Sequence, residues 1–358
     1  MEYFKNLPME TTIDILSRLP AESVMDCKLV FKGWNKLISH PSFSKIHINR
    51  LIDSGKLSFL ISIFDELNLL PTPNQIYYFG YGKNNNIVSK IDVLPQETYN
   101  FTIVGSCNGL VCLFNYDDTI IISNPIIKEY VILPKLTPPT HIDESLFSGY
   151  MFCGFGYLPK TEEYKVVRMY MLLKDSDFFE VEVYTLGSGC KWINIGNFEY
   201  TRFGGKVGVF VHGALYWLCS ANNVLVFDLD DEKIKDIPLP AILERDNSLS
   251  FINMLGVSVW PLDDFLMCVE KNLVEGVRMN WWLLKMESHI DEMKSGAVLG
   301  IKHINGRSTL HRYDVESSSL ETLTGIDQRF VGLPSHHMNT LVSLGALGEL
   351  IQKTRADL

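Results

Sequence analysis

Cys107 and Cys112 are the closest cysteine pair in a chain that carries seven, and thiolates near one another in sequence are the side chains that hold zinc. No second Cys or His pair comes after them at finger spacing, so the two read as strand thiols. His336-His337 offers two imidazoles with no cysteine or carboxylate motif beside them, the pattern of a loop or packing pair. Asp228, Asp230, Asp231 and Glu232 have the charge of a calcium loop but lack its ligand spacing and terminal glutamate; a solvated hairpin turn accounts for them. Gly204-Gly205-Lys206-Val207-Gly208 lacks the Gly-Lys-Ser/Thr end of a phosphate loop. Ser106 and Cys107 sit beside Gly105, as a nucleophile can, yet the sequence assigns them no base. Glu162-Glu163 and Asp263-Asp264 are paired acids at turns, most simply solvated. No catalytic constellation, metal or cofactor is expected.

The residues with chemistry to offer are instead apolar and lie at the front of the chain. Leu7, Ile15-Leu16, Leu19, Val30, Trp34 and Leu37-Ile38 recur at helical spacing, and Pro8 and Pro20 cut the run into short pieces. Three helices result, about Met9 to Ser17, Ala21 to Val30 and Lys32 to Ser39. Fewer than about 40 residues rarely hold a fold without a disulfide, metal or partner, and this stretch has one cysteine, Cys27. It is therefore either a helical cap on the remainder of the chain or a docking module whose apolar face another protein completes.

The series Leu7-Pro8-x-Glu10, Ile15-Leu16-x-Arg18-Leu19-Pro20, Cys27-Lys28-x-Val30, Lys32-x-Trp34, Leu37-Ile38 and Pro41-x-Phe43 closely resembles the F-box over roughly residues 4 to 48. The resemblance implies docking on the Skp-type adaptor of a cullin–RING ubiquitin ligase. It would place Leu7, Pro8, Ile15, Leu16, Leu19 and Pro20 on the adaptor-facing surface. Val24, Cys27, Val30, Trp34, Leu37 and Ile38 join the expected adaptor set, several of them divided between that surface and a small core. Gly33 departs from a good helix former, at a cost of about 1 kcal/mol.

A net charge of −10 argues against a nucleic-acid binder, because phosphate contacts need clustered Lys and Arg. The odd cysteine count, scattered through apolar runs, reads as reduced thiols in the cytoplasm or nucleus. Met1 to Pro8 contains no apolar signal core, and no stretch reaches the 18 or so apolar residues of a membrane helix. The sequon Asn100-Phe101-Thr102 is accordingly expected to stay bare.

Beyond Pro71-Thr72-Pro73 the apolar period changes from helical to two, and the composition shifts to Val, Ile, Tyr, Phe, Trp and Gly. Hairpins recur, for example Gly105 to Leu113 with its Asn108-Gly109 turn and Val207 to Leu218, each succeeded by a strand pair such as Ile120 to Pro134 or Val224 to Pro238. Two hairpins make a four-stranded unit every 45 to 60 residues or so, the size of a propeller blade. Trp192, Trp217, Trp260 and Tyr313 are expected between blades; a β-sandwich or solenoid is the alternative.

Gly105 to Leu113, Asn124-Pro125, Leu133-Pro134, Gly154 to Tyr157, Val211 to Trp217 and His337 to Leu344 resemble, in order, the F-box-associated domain of plant F-box proteins. The layout is similar to kelch-type propellers, though the kelch double glycine is missing. The expected class is thus multidomain, a small N-terminal helical F-box succeeded by an all-β, β-propeller-like domain. Its parts are an F-box at 1–48, a linker with a first strand at 49–75, the β domain at 76–345 and a loosely held tail at 346–358. The resemblance implies a substrate receptor without catalysis of its own. An unidentified protein target would bind rim loops that include Asp143, Glu144, Asp175, Phe178, Phe179 and Arg245. The alternative is a propeller scaffold or small-ligand binder acting outside a ligase.

Overall fold

The structure is a computed structural model that describes residues 7–53, 58–64, 75–80, 87–91, 101–115, 118–136, 151–171, 178–189, 191–199, 206–219, 223–238, 257–262, 265–272, 278–284, 290–291, 297–304, 307–314, 319–324, 330–331 and 335–353. Among the described residues four helices come first: α1 (Met9–Leu16), α2 (Ala21–Val30), α3 (Lys32–Ile38) and α4 (Pro41–Asp53). Pro8 and Pro20 stand immediately before α1 and α2 with φ of −54° and −55°. Their carbonyls accept the first helical bonds, from Thr12 N at 3.0 Å and Val24 N at 3.0 Å. The ring supplies the φ a helix start needs, where a missing N–H costs nothing. Phe31, extended at φ −157°, separates α2 from α3.

The strands then fall into consecutive antiparallel groups: β1 (Ser58–Phe64), β2 (Gln75–Gly80) and β3 (Ile87–Ile91); β4 (Phe101–Cys107), β5 (Leu110–Asn115), β6 (Ile120–Asn124) and β7 (Glu129–Ile132); β8 (Met151–Leu158), β9 (Glu163–Tyr170), β10 (Phe178–Thr185) and β11 (Ile193–Glu199). They continue with β12 (Val209–Val211), β13 (Ala214–Leu218), β14 (Asn223–Asp228) and β15 (Lys233–Pro238); β16 (Val257–Leu262), β17 (Phe265–Asn272), β18 (Arg278–Leu284) and β19 (Ile290–Asp291); and β20 (Ala297–Ile304), β21 (Arg307–Asp314) and β22 (Ser319–Thr324). Each group is one sheet with neighbours in chain order. Three late strands return to the earliest sheets: β23 (Phe330–Val331) and β24 (Ser335–His336) pair with β1, and β25 (Gln352–Lys353) pairs with β7. The two-residue turns at Asn108-Gly109 and His212-Gly213 have positive φ at both positions, 49° and 82°, 47° and 78°, as a tight hairpin of matching twist requires.

The chain divides into two units, Met1–Leu133 with Gln328–Leu358, and Pro134–Asp327. In the second, successive sheets meet through their first strands. β8 adjoins β12 and β13, and these in turn adjoin β16. Cys153 and Lys206–Gly208 are tied by Cys153 N to Lys206 O at 2.9 Å and Gly208 N to Cys153 O at 2.8 Å. One apolar cluster spans the β8–β11 and β12–β15 sheets, with Val167, Met169, Phe179, Val181, Leu215, Trp217 and Phe227 at its centre. Sheets with apolar residues on both faces, stacked in this way, are the packing of propeller blades. A small helical module leading into an all-β, propeller-like region is the fold class.

Trp217, 1% exposed, fills the space between two sheets as expected. Gly208 leaves that space open, since a Cβ there would stand 2.5 Å from the indole Cζ2. Trp192 departs from the expectation. It packs against Tyr184 (ring centroids 5.4 Å) and under the Arg168 guanidinium (4.0 Å), all within the β8–β11 sheet, and its Nε1 donates to Pro134 O at 2.8 Å. The buried Arg168 is paired with Glu182 at 2.5 Å, so the cation stacked over the indole is a neutralised one. The side chains of Trp260 and Tyr313 lie outside the described residues. The tail expected to be loose from residue 346 is held at its start, where β25 adds an outer strand beside β7.

Trp217→Ala is expected to lower the unfolding free energy by about 3–5 kcal/mol, because the cavity faces two sheets at once. Urea denaturation monitored by far-UV circular dichroism measures it; a loss below about 1 kcal/mol would contradict the inter-sheet role.

Candidate docking site

The helical module buries part of its apolar surface and leaves part of it exposed. Its inner face gathers Leu16, Ala21, Val24, Ile38 and Phe43, with Ile13, Leu19, Met25, Cys27, Trp34 and Leu37 packed around them. α4 is held across α1 by Arg50, which donates from Nη1 to Asp14 O at 3.0 Å and pairs through Nη2 with the Asp14 carboxylate. Bonds from Arg18 and Arg50 keep the Asp14 carboxyl below its ordinary range. His47, fully buried on α4, donates from Nε2 to Leu19 O at 2.9 Å, and burial lowers its pKa despite that bond.

Other apolar side chains are open to water. Eleven large apolar side chains among the described residues are exposed, and six of them, Met9, Ile15, Leu29, Val30, Phe31 and Ile52, lie on or beside the four helices. Leu29 is 87% exposed and Met9 65%. Between α1, α3 and the start of α4 runs a groove of about 450 Å³ lined by Leu7, Ile13, Phe31, Trp34, Leu37 and Phe43, among others. Apolar surface concentrated on one small module, with a concavity beside it, is the usual mark of an interaction site.

Against the expected adaptor set, Pro8, Ile15, Pro20 and Val30 are exposed, and Leu7, Leu19, Cys27, Trp34 and Leu37 are half-buried. Leu16 requires a correction. Expected at the surface, it is 2% exposed in the module core, because one helical step turns it about 100° from the exposed Ile15. Val24 and Ile38 take the core alternative. Phe43, which closes the sequence motif, is a central core residue.

The inner face is completed from elsewhere in the chain. Leu341 joins its buried cluster, with Ile126 and Ile127 from the β6–β7 turn packed against it. Residues 337–344 run as a strap, fastened mainly by side chains. Asn124 Nδ2 donates to Thr340 O at 3.2 Å and Val342 O at 2.8 Å, while its Oδ1 accepts from Ile126 N at 3.0 Å. Thr340 Oγ1 donates to Asn108 O at 2.6 Å. At Gly109 a Cβ would collide with Thr340 and stand 2.9 Å from Met338 O, so the strap's course demands glycine there. Asn339 Nδ2 donates to the Glu22 carboxylate on α2. The Asn124-Pro125 pair signals a turn in the sequence; its long-range use of the amide has no local signature.

The strap also places a histidine beside Ser106, which the sequence left without a base. His337 Nδ1 accepts from Ser106 Oγ at 2.7 Å, and Nε2 donates to Asn339 Oδ1 at 3.1 Å. Serine, histidine and asparagine in this order suggest an activated nucleophile, but the electrostatics oppose it. Burial pulls the imidazole pKa down to about 3, with the Asn339 bond opposing and His336 adding to the shift. An imidazolium formed during proton transfer would lie in that apolar setting with a neutral amide as its orienting partner. The trio is a clamp: Ser58 Oγ bonds His337 O, and Tyr78 meets the imidazole edge-on at 6.2 Å.

The acidic turn reads as expected, with one addition. Asp228 Oδ1 accepts from Asp230 N at 2.9 Å and Asp231 N at 3.1 Å, while Glu232 pairs at 2.8 Å with Lys165, whose buried ammonium also donates to Leu229 O. Burial holds the Cys107 thiol far above its ordinary pKa. Of the target residues, Phe178 is 50% exposed at the start of β10. Phe179 requires a correction: strand alternation turns it inward, 2% exposed and edge-on to Phe152 at 5.6 Å. Asp143, Glu144, Asp175 and Arg245 lie outside the described residues.

Comparison with known proteins matches residues 4–46 to the F-box domain and residues 72–259, more than half of the chain, to the F-box associated beta propeller domain. Relatives from Arabidopsis thaliana include At1g53550, named as an F-box protein, 25% identical over 70% of this chain and 62% of its own length. At1g46840, named likewise, is 28% identical over 73% and 57%, and F-box protein CPR1 is 26% identical over 67% and 62%. The chain thus aligns with between 57% and 62% of the length of these relatives.

A pH dependence arises from His337. The unfolded chain takes up a proton near pH 6.5 that the native imidazole refuses until about pH 3. Stability is therefore complete above pH 6.5 and declines as pH falls towards 3, with a slope approaching about 1.4 kcal/mol per unit. Urea midpoints between pH 7.5 and 4.5 should drop for the wild type and drop less for His337→Gln; identical slopes would contradict the buried neutral imidazole.

Proposed function

This chain belongs to the F-box associated beta propeller family, and from that premise we propose that it is the substrate-recognition subunit of an SCF-type cullin–RING ubiquitin ligase. The helical module docks on a Skp-type adaptor, and the β region, kelch-like in layout, binds a protein destined for ubiquitination. The concentration of exposed apolar side chains on the four helices carries this reading. Such a surface exposes apolar area that water penalises at about 25 cal/mol per Å², so a partner that covers it gains affinity. Ubiquitin transfer belongs to other subunits; this chain supplies proximity, raising the effective concentration of target at the ligase. The target meets the rim of the β region, and the exposed ring of Phe178 is offered as one of its contacts.

Titration of a Skp-type adaptor onto the full chain tests the docking half. Leu7→Ala and Ile15→Ala are each expected to weaken binding by up to about thirtyfold, the equivalent of about 2 kcal/mol for an anchor, with folding unchanged. Leu16→Ala should instead destabilise the module by about 2–5 kcal/mol, since its side chain is core. Wild-type affinity in both surface variants would discard the proposed face.

A further inference from the structure

We propose that the adaptor-binding module of this chain is composite: the contiguous helices are completed by the C-terminal strap and the β6–β7 turn, so residues far downstream in the chain set its competence. The proposal rests on the docking reading for its functional half, and on packing alone for its structural half.

The helices leave their inner face unfinished. Leu341, 5% exposed, is the one strap residue in the buried cluster formed by Leu16, Ala21, Val24, Ile38 and Phe43. Ile126 and Ile127 border the same cluster from the turn between β6 and β7. The strap is carried to the helices by bonds that involve no helix residue: Asn124 to Thr340 O and Val342 O, Thr340 to Asn108 O, and His337 N to Ser58 O at 2.8 Å. A polar tie, Asn339 to Glu22, then joins strap and α2 directly. The exposed apolar residues are consequently displayed on a module whose buried cluster is shared with the strap and the β6–β7 turn. Positioning residues on the strap act on adaptor binding through the helix core, without touching the adaptor.

The test uses the full chain with Leu341→Ala, Leu341→Met and Asn339→Ala, read by amide hydrogen exchange and by titration with a Skp-type adaptor. Leu341→Ala is expected to raise exchange in α1–α3 by about tenfold or more and to weaken adaptor binding, while β9, β10 and β14 keep wild-type protection. Leu341→Met, nearly volume-conserving, restores both. Should Leu341→Ala lose protection in the sheets as well, Asn339→Ala decides, with an expected rise of about threefold to tenfold in the helices, α2 above all, while β9, β10 and β14 keep wild-type protection. Wild-type exchange in the helices of Asn339→Ala and Leu341→Ala overturns the composite module. A wild-type chain that binds no adaptor overturns the docking reading instead, and the exchange result still judges the packing.

Discussion

The helical module depends on where one strap of chain runs. Residues 337–344 can lie against β4–β7 only because Gly109 has no side chain and Asn124 supplies two donor bonds from one amide. That course brings Leu341 to the helices, where it joins the buried cluster of Leu16, Ala21, Val24, Ile38 and Phe43. Small domains bury too little surface to be comfortable alone. Borrowing a leucine and two isoleucines from the β region relieves the inner face and leaves the outer face to a partner.

The same constraint explains the chemistry of His337. A buried imidazole held neutral by desolvation is unsuited to accept a proton in a reaction, and well suited to bridge a serine and an asparagine without charge. The Arg168–Glu182 pair beside Trp192 and the Lys165–Glu232 pair obey a related rule in the β sheets, where buried charges are matched and hydrogen-bonded. Polar groups here serve to hold strands, straps and turns.

Local physics was legible in the sequence. Pro8 and Pro20 marked the helix starts, Asn108-Gly109 marked its hairpin, and the period-two runs after residue 71 marked strands. Long-range contacts escaped it. Leu16 and Ile15 are adjacent in sequence and equally apolar, so only packing separates core from surface. Phe178 and Phe179 pose the same difficulty in a strand, where the starting residue decides which ring turns inward. Trp192 looked like blade packing because aromatic spacing cannot reveal an arginine folded over the ring. The strap stood out in the sequence only for its family resemblance, since nothing near Asn124 in the chain indicates that its amide waits for Thr340 and Val342.

A structure of the full chain bound to a Skp-type adaptor would test the central claim most directly. The account predicts that Ile15, Val30 and the groove beside Leu7 and Trp34 become covered by the adaptor, while Leu341 stays in the module core. An adaptor seated elsewhere, with that face still open to water, would contradict it.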